Sequence, residues 1–218
     1  SLNEQKLETI GEQAGYPNKF DPNNIGDKDV IYIGATTSRD VPKIMAIASQ
    51  GSSLYIYEIS PEMIQGKKGT ICSGYWELTP ETGLVEGKLP VATSAYFDRM
   101  FYYAVGNKIY RADLTRSTPR SYEIYAHPDP SVRITRLKFR SQREDRWDIS
   151  GGDEVEAIPY DFVSYLGGVA EYPDGNCSML EMKLTAAGEI DKEEGTKDLM
   201  VYEFKGFKNV VDFVYAFK

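Results

Sequence analysis

Leu54-Tyr-Ile-Tyr-Glu-Ile-Ser60, Ile109-Tyr-Arg-Ala-Asp-Leu-Thr115 and Met179-Leu-Glu-Met-Lys-Leu-Thr185 read as three copies of one pattern. Each starts on an apolar pair and alternates, then closes on a charged residue, an Ile or Leu, and a hydroxyl. Upstream of each lie a turn signal and another apolar run. Divergent hairpins recurring at long intervals are the sequence sign of propellers and solenoids. The pattern therefore predicts an all-β fold of repeated antiparallel hairpins, arranged as a β-propeller-like arc.

Composition agrees with strands. Sixteen Tyr and nine Phe, with Val and Ile spread through short runs, suit pleated and half-buried surfaces better than helices. A chain of 218 residues holds one large all-β domain or two small ones. The formal net charge of −8 argues against a nucleic-acid surface, which needs clustered cations. Arg133 to Arg146 is the richest basic stretch, and in Val132-Arg-Ile-Thr-Arg-Leu-Lys-Phe-Arg140 apolar residues are expected on one face and mostly basic ones on the other. A solvated strand face is the expectation there, with an anion-binding groove as the alternative. No run approaches the ~20 apolar residues of a membrane span. A chain opening Ser1-Leu-Asn-Glu is expected to be a fragment of a longer protein, any anchor or export signal lying upstream.

Along the chain, residues 1–28 are expected to form an N-terminal helix and linker. Leu2, Leu7 and Ile10 lie at helical spacing, and Asp21-Pro-Asn-Asn24 marks a turn. Residues 29–218 are the propeller-like domain of three to four blade-like repeats, an arc that so few blades leave incomplete. In the first repeat, strands are expected at 30–33, 43–48, 54–59 and 72–78, with a polar loop over 36–42 and one helical turn at Ser60-Pro-Glu-Met63. The second has strands at 93–97, 100–105, 108–114, 121–126 and 132–140, with Gly106-Asn107 supplying a tight hairpin turn. In the third, strands over 162–172 and 179–184 flank Pro173-Asp-Gly-Asn176, and strands 199–204 and 210–217 flank a turn at Lys205-Gly206.

Little in the sequence points to catalysis. His127 is the sole histidine, so a nucleophilic triad has one base available and structural zinc is poorly supported. There is no nucleophile elbow, phosphate loop or dinucleotide fingerprint. Asp40, Asp98 and Asp113, beside strand ends, are the carboxylates that could serve a glycoside hydrolase. Cys72 and Cys177 fall in different repeats and are expected as unpaired buried thiols, one long-range disulfide being the alternative.

The insertion 141–159 interrupts the repeat and carries the candidate site. Its acids Glu144, Asp145, Asp148, Asp153, Glu154 and Glu156 surround Gly151-Gly152. They suggest a solvated acidic loop, with Ca²⁺ as the alternative because hard oxygens on a flexed loop suit that ion; no other cofactor is implied. Trp147 amid charges is expected to stack on a ligand or to fill a gap against the sheet. With Arg146 and Asp148 it makes up the expected contact set. Trp76 is expected in the core, and Tyr55, Tyr57, Tyr102, Tyr103 and Tyr110 are expected mostly to pack.

Met100-Phe-Tyr-Tyr-Ala-Val-Gly-Asn-Lys-Ile-Tyr-Arg-Ala-Asp-Leu114 and Tyr202-Glu-Phe-Lys-Gly-Phe-Lys-Asn-Val-Val-Asp-Phe-Val-Tyr215 resemble the C-terminal region of PKD-like family lipoproteins. The resemblance implies an exported protein at the outer-membrane surface of a Gram-negative bacterium, anchored by lipid upstream and involved in glycan capture. It carries no catalytic residues. The sequence thus predicts a non-catalytic binding or scaffolding module whose partner is a glycan or an envelope protein. A carbohydrate-active hydrolase and a purely structural assembly subunit are the competing readings.

Overall fold

The computed structural model describes residues 28–38, 41–64, 67–84, 93–97, 100–116, 118–144, 147–148, 156–157 and 161–215, with side chains at 28–33, 44–58, 74–84, 100–116, 118–140 and 164–215. The expected N-terminal helix lies outside these residues. The strands are β1 (Asp29–Ser38), β2 (Val41–Gln50), β3 (Ser53–Ile64), β4 (Lys67–Leu78), β5 (Thr93–Phe97), β6 (Met100–Val105), β7 (Lys108–Asp113), β8 (Ser121–Ala126), β9 (Arg133–Glu144), β10 (Trp147–Asp148), β11 (Glu156–Ala157), β12 (Asp161–Glu171), β13 (Asn176–Leu184) and β14 (Val201–Lys208). Among the described residues they form three four-stranded antiparallel sheets, β1-β2-β3-β4, β5-β6-β7-β8 and β9-β12-β13-β14, and the ribbon β10-β11. The only helical element there is a single 3₁₀ turn, Pro80–Thr82.

Each of the three look-alike segments is the third strand of its sheet: β3, β7 and β13. The hairpin before each third strand is closed by a glycine at positive φ, which a side chain would oppose. Gly51 and Gly106 both have φ 59, and Gly175 has φ 81. Asn107 keeps a negative φ, so the Gly106 turn needs one left-handed residue rather than two. Residues 141–144 of the expected insertion 141–159 instead extend β9, paired with β12; the rest of it falls between the first and second strands of the third sheet, with β10 and β11 in it.

The chain divides into two compact units, one of Ser1–Leu89, Tyr96–Arg99 and Ala112–Ser121, the other of Pro90–Ala95, Met100–Arg111 and Tyr122–Lys218. In the first, β2 and β3 bury Met45, Ile47, Ala48, Leu54, Ile56 and Tyr57, and Leu78 of β4 is fully buried. Trp76 is 9% exposed, and its indole lies where a Cβ on Gly74 would stand. The expected helical turn at 60–63 is instead a continuation of β3, paired Pro61↔Thr70 to Ile64↔Lys67. Proline is tolerated because β2 stops pairing at Ile44↔Ile59, leaving that edge of β3 without a ladder to break. Pairing likewise carries β1 to Ser38↔Val41, so residues 36–38 and 41–42 of the expected loop are strand.

In the second unit, two sheets pack on one core. Tyr102, Ala104 and Ile109 of β6 and β7 meet Ile134, Leu137, Leu166, Ala170, Leu180, Met182 and Leu184 of β9, β12 and β13. The turn after β13 is clamped from the facing sheet: the Tyr102 hydroxyl donates to the Gly188 carbonyl at 2.6 Å, and Arg111 donates to the Ala187 carbonyl. Tyr103 stacks on Tyr110 at 5.3 Å and on Phe101 at 5.7 Å. Tyr57, Tyr102 and Tyr103 are therefore packing residues, as expected, while Tyr55 and Tyr110 are half-buried. Cys177 is buried with a free thiol.

At the end of the third sheet the expected turn at Lys205-Gly206 is a bulge inside β14. Cys177 pairs with Phe207 and Ser178 with Lys205, and Gly206 is the extra residue, at φ 105. No strand follows among the described residues 209–215.

The clamp gives a direct test. Gly188 has φ 77, and a Cβ there would stand 2.6 Å from the Tyr102 hydroxyl. Gly188→Ala should lower unfolding free energy by about 2 kcal/mol or more, and Tyr102→Phe by about 1–2 kcal/mol through the unpaired carbonyl. Denaturant melts of the two variants measure both.

Candidate functional site

The outer face of the third sheet is organised by a break in phase along β9. Val132 and Ile134 alternate in one phase, Leu137 and Phe139 in the other, so a regular strand would turn one pair outward. The ladder absorbs the slip: Ala170 pairs with Ile134 and Val169 with Arg136, leaving Thr135 as the extra residue of a bulge. Ile134, Leu137 and Phe139 thereby all reach the core. Arg136, Lys138 and Arg140 share the opposite face.

Across that face, Lys138 stands opposite Gly167 and Arg140 opposite Tyr165. Gly167 in turn stands opposite Glu181, and Glu181 opposite Tyr202. The missing Cβ of Gly167 opens a slot at the centre of the row. Into it run residues 211–215, following β14. Arg136 Nε donates to the Val211 carbonyl at 2.9 Å, and Lys138 Nζ donates to Asp212 Oδ2 at 2.9 Å. The Lys138 ammonium lies 5.6 Å from the centre of the Phe213 ring. The Arg140 guanidinium lies over Tyr165 at 4.7 Å and over Tyr215 at 5.1 Å. A Cβ on Gly167 would stand 2.2 Å from the Tyr215 hydroxyl. The basic face expected to be solvated is therefore covered by the chain's own residues 211–215. The covering has its reason in charge and shape: one carboxylate and two rings meet three cations and a glycine slot.

The groups respond accordingly. The hydrogen bond from Lys138 holds the Asp212 carboxyl below the ordinary carboxylate value, against a small burial penalty. Burial, with the Glu181 charge beside it, pushes the Tyr215 hydroxyl up, and Arg140 opposes this.

A second polar cluster sits on the inner side of β14. His127 is buried, its Nδ1 accepting from the Asp129 N–H at 3.1 Å, which assigns the proton of the neutral ring to Nε2. That nitrogen has no hydrogen-bond partner and lies 3.8 Å from Glu203 Oε1, which accepts from the Tyr172 hydroxyl at 2.8 Å. Tyr125 and Tyr172 each meet the imidazole edge-on. Burial pushes the Glu203 carboxyl up, but hydrogen bonds from Ser178 and Tyr172, with Lys205 and His127 nearby, outweigh it and hold the group low. Burial, Glu203 and Tyr172 push Tyr125 up to about 12. The cluster ties the end of β8 to the β12–β13 turn and to β14. A reading of the sequence finds His127 but not its partners, because Tyr172 and Glu203 reach it only through strand pairing.

Of the expected contact set, Trp147 and Asp148 form β10, paired Trp147↔Ala157 and Asp148↔Glu156. Arg146 lies outside the described residues. Of the acids considered for Ca²⁺, Glu144 ends β9 and Asp148 faces Glu156 across the ribbon; Asp145, Asp153 and Glu154 lie outside. Among the described residues no group of three or more His, Cys, Asp or Glu could hold a metal ion. Asp113 caps a turn, accepting from the Thr115 N–H at 2.9 Å and from its hydroxyl; Asp40 and Asp98 lie outside. No helix among the described residues is long and apolar enough to cross a membrane. Compared with family models, curated proteins and solved structures, the chain matches none.

The titrations set a pH profile. Glu203, Asp129, Asp191 and Asp212 are all held low, so their stabilisation is complete above the ordinary carboxylate range and lost as pH falls below about 4. Tyr102, Tyr125 and Tyr215 are raised, so the stability they confer is present below about pH 10 and lost above it. Melting temperature against pH should show a plateau with both limbs, and Glu203→Gln should shallow the acid limb.

Proposed function

We propose that the chain is a non-catalytic binding or scaffolding module, a propeller-like arc of β-meanders displayed at a bacterial cell surface. The architecture supports this: four-stranded meanders are the content of propeller blades, the same segment recurs as the third strand of each, and two meanders share one core in the second unit. The cell-surface placement rests on the resemblance to PKD-like lipoproteins. The observation that carries the binding reading is the cationic and aromatic row on the third sheet, Arg136, Lys138, Arg140 and Tyr165 around a glycine slot. Cations backed by rings, already gripping residues 211–215, make a recognition surface. Asp113, with its carboxylate committed to a turn, lends no support to a hydrolase.

The full chain should bind an envelope glycan or an envelope protein saturably in an immobilised-ligand screen. Lys138→Glu with Arg140→Glu should weaken that binding about tenfold or more, since hydrogen bonds to charged groups contribute about 1.5–3 kcal/mol each. Affinity retained by the double variant with an unchanged melt would overturn the placement on this face. Loss on Trp147→Ala alone would move the site to the insertion.

A further inference from the structure

We propose that the slot on the outer face of the third sheet recognises an extended peptide of the pattern Asp-aromatic-x-aromatic, presented by a protein partner, and that residues 211–215 are its built-in occupant. The proposal rests on the binding-module reading and names its partner. Asp212-Phe-Val-Tyr215 shows how such a peptide sits. The carboxylate meets Lys138, the first ring lies by the same ammonium, and the second ring enters the Gly167 slot beside Arg140. Phe213 and Tyr215 are half-buried while Asp212 and Val214 are exposed, and the two rings meet edge to face at 5.8 Å. Glu181 pairs with Arg140 at 3.7 Å and disfavours a carboxylate at that end, so the groove fixes the peptide's direction.

Three observations make the occupant displaceable. Residues 210–215 form no strand, and the described backbone hydrogen bonds after β14 end with the Asn209 N–H to the Gly175 carbonyl at 3.3 Å. Val211 and Val214 are 76% and 79% exposed, and the Asp212 carboxylate is half exposed in its ion pair, a setting in which such pairs contribute little. Arg140 Nε is buried without a hydrogen-bond partner, so the built-in segment leaves one charged donor unused that a longer peptide can satisfy. The net charge of −8 sets copies of the chain against one another, which favours a different protein as the donor over exchange of this segment between copies.

A tethered segment competes at an effective concentration near ~1 mM, so the intact chain should bind weakly in trans. The test uses the full chain and a fluorescein-labelled peptide with the sequence of residues 209–215, read by anisotropy. The variant Asp212→Ala, Phe213→Ala, Tyr215→Ala should bind at least about tenfold more tightly than the parent chain, and Lys138→Glu in that background should abolish binding. No saturable binding by a variant that keeps its cooperative melt overturns the proposal. Should the variant fail to fold, excess unlabelled peptide is added to the parent chain. Hydrogen exchange at residues 210–215 then accelerates if the groove accepts the peptide; unchanged exchange overturns the proposal. A concentration-dependent dimer of the parent chain that Tyr215→Ala abolishes also overturns it, assigning the groove to self-exchange. If the peptide fails while envelope ligands still bind through Lys138 and Arg140, the binding-module reading stands and only the peptide specificity falls.

Discussion

The second unit depends on the bulge at Thr135. Without it, β9 would have to choose between sending Ile134 inward and sending Leu137 and Phe139 inward, and the losing side would face water at the cost of buried apolar area. One unpaired residue lets both groups join the core shared with β6 and β7. The same residue sets Arg136, Lys138 and Arg140 in a single row on the other face. A core requirement and a surface property are therefore fixed together, and neither can drift without the other.

Around that strand the polar groups take up distinct duties. Arg111 and Tyr102 reach across the core to pin the turn after β13 by its carbonyls, where the low dielectric makes each bond count. His127, Tyr172 and Glu203 do similar work at the end of β14, with one imidazole nitrogen left unpaired. On the outer face the cations of β9 are partly buried, and they meet both the sheet's own Tyr165 and Glu181 and the segment 211–215. Polar clamps thus close the inside of the second unit, while the polar contacts of the outer face lie nearer to solvent and would respond first to a competing ligand of the kind proposed.

That the fold is all-β and built of antiparallel hairpins was legible because its evidence is periodic and local. Alternation and glycine turns locate β6, β8 and the third strand of each sheet, where Gly51, Gly106 and Gly175 supply the left-handed residue. What failed to show in the sequence depends on pairing with distant residues. Pro61 reads as a helix opener until β2 is seen to stop pairing two residues before it, at Ile59. Lys205-Gly206 reads as a turn until β13 is laid beside it. The candidate site was legible in part: the run of cations on β9 stands out, but its glycine slot and its occupant come from β12 and from the chain beyond β14. Gly167-Gly168 inside an apolar run was the available signal, since glycine within a strand often marks close approach by another group.

The meander order also bears on how the chain reaches this structure. In the first sheet every pair joins neighbours in sequence, with a two-residue turn between β2 and β3, so its contacts are local and its loops short. The third sheet contains one exception. β9 must find β12 across the insertion that carries β10 and β11, and closing that longer loop costs entropy before any pair rewards it. The stretch 185–200 between β13 and β14 is equally long, but β9 supplies Ile134 and Leu137 to the shared core, so it is the β9–β12 closure on which the packing of the second unit depends. Shortening the insertion should therefore speed folding of the second unit without touching a residue of its core.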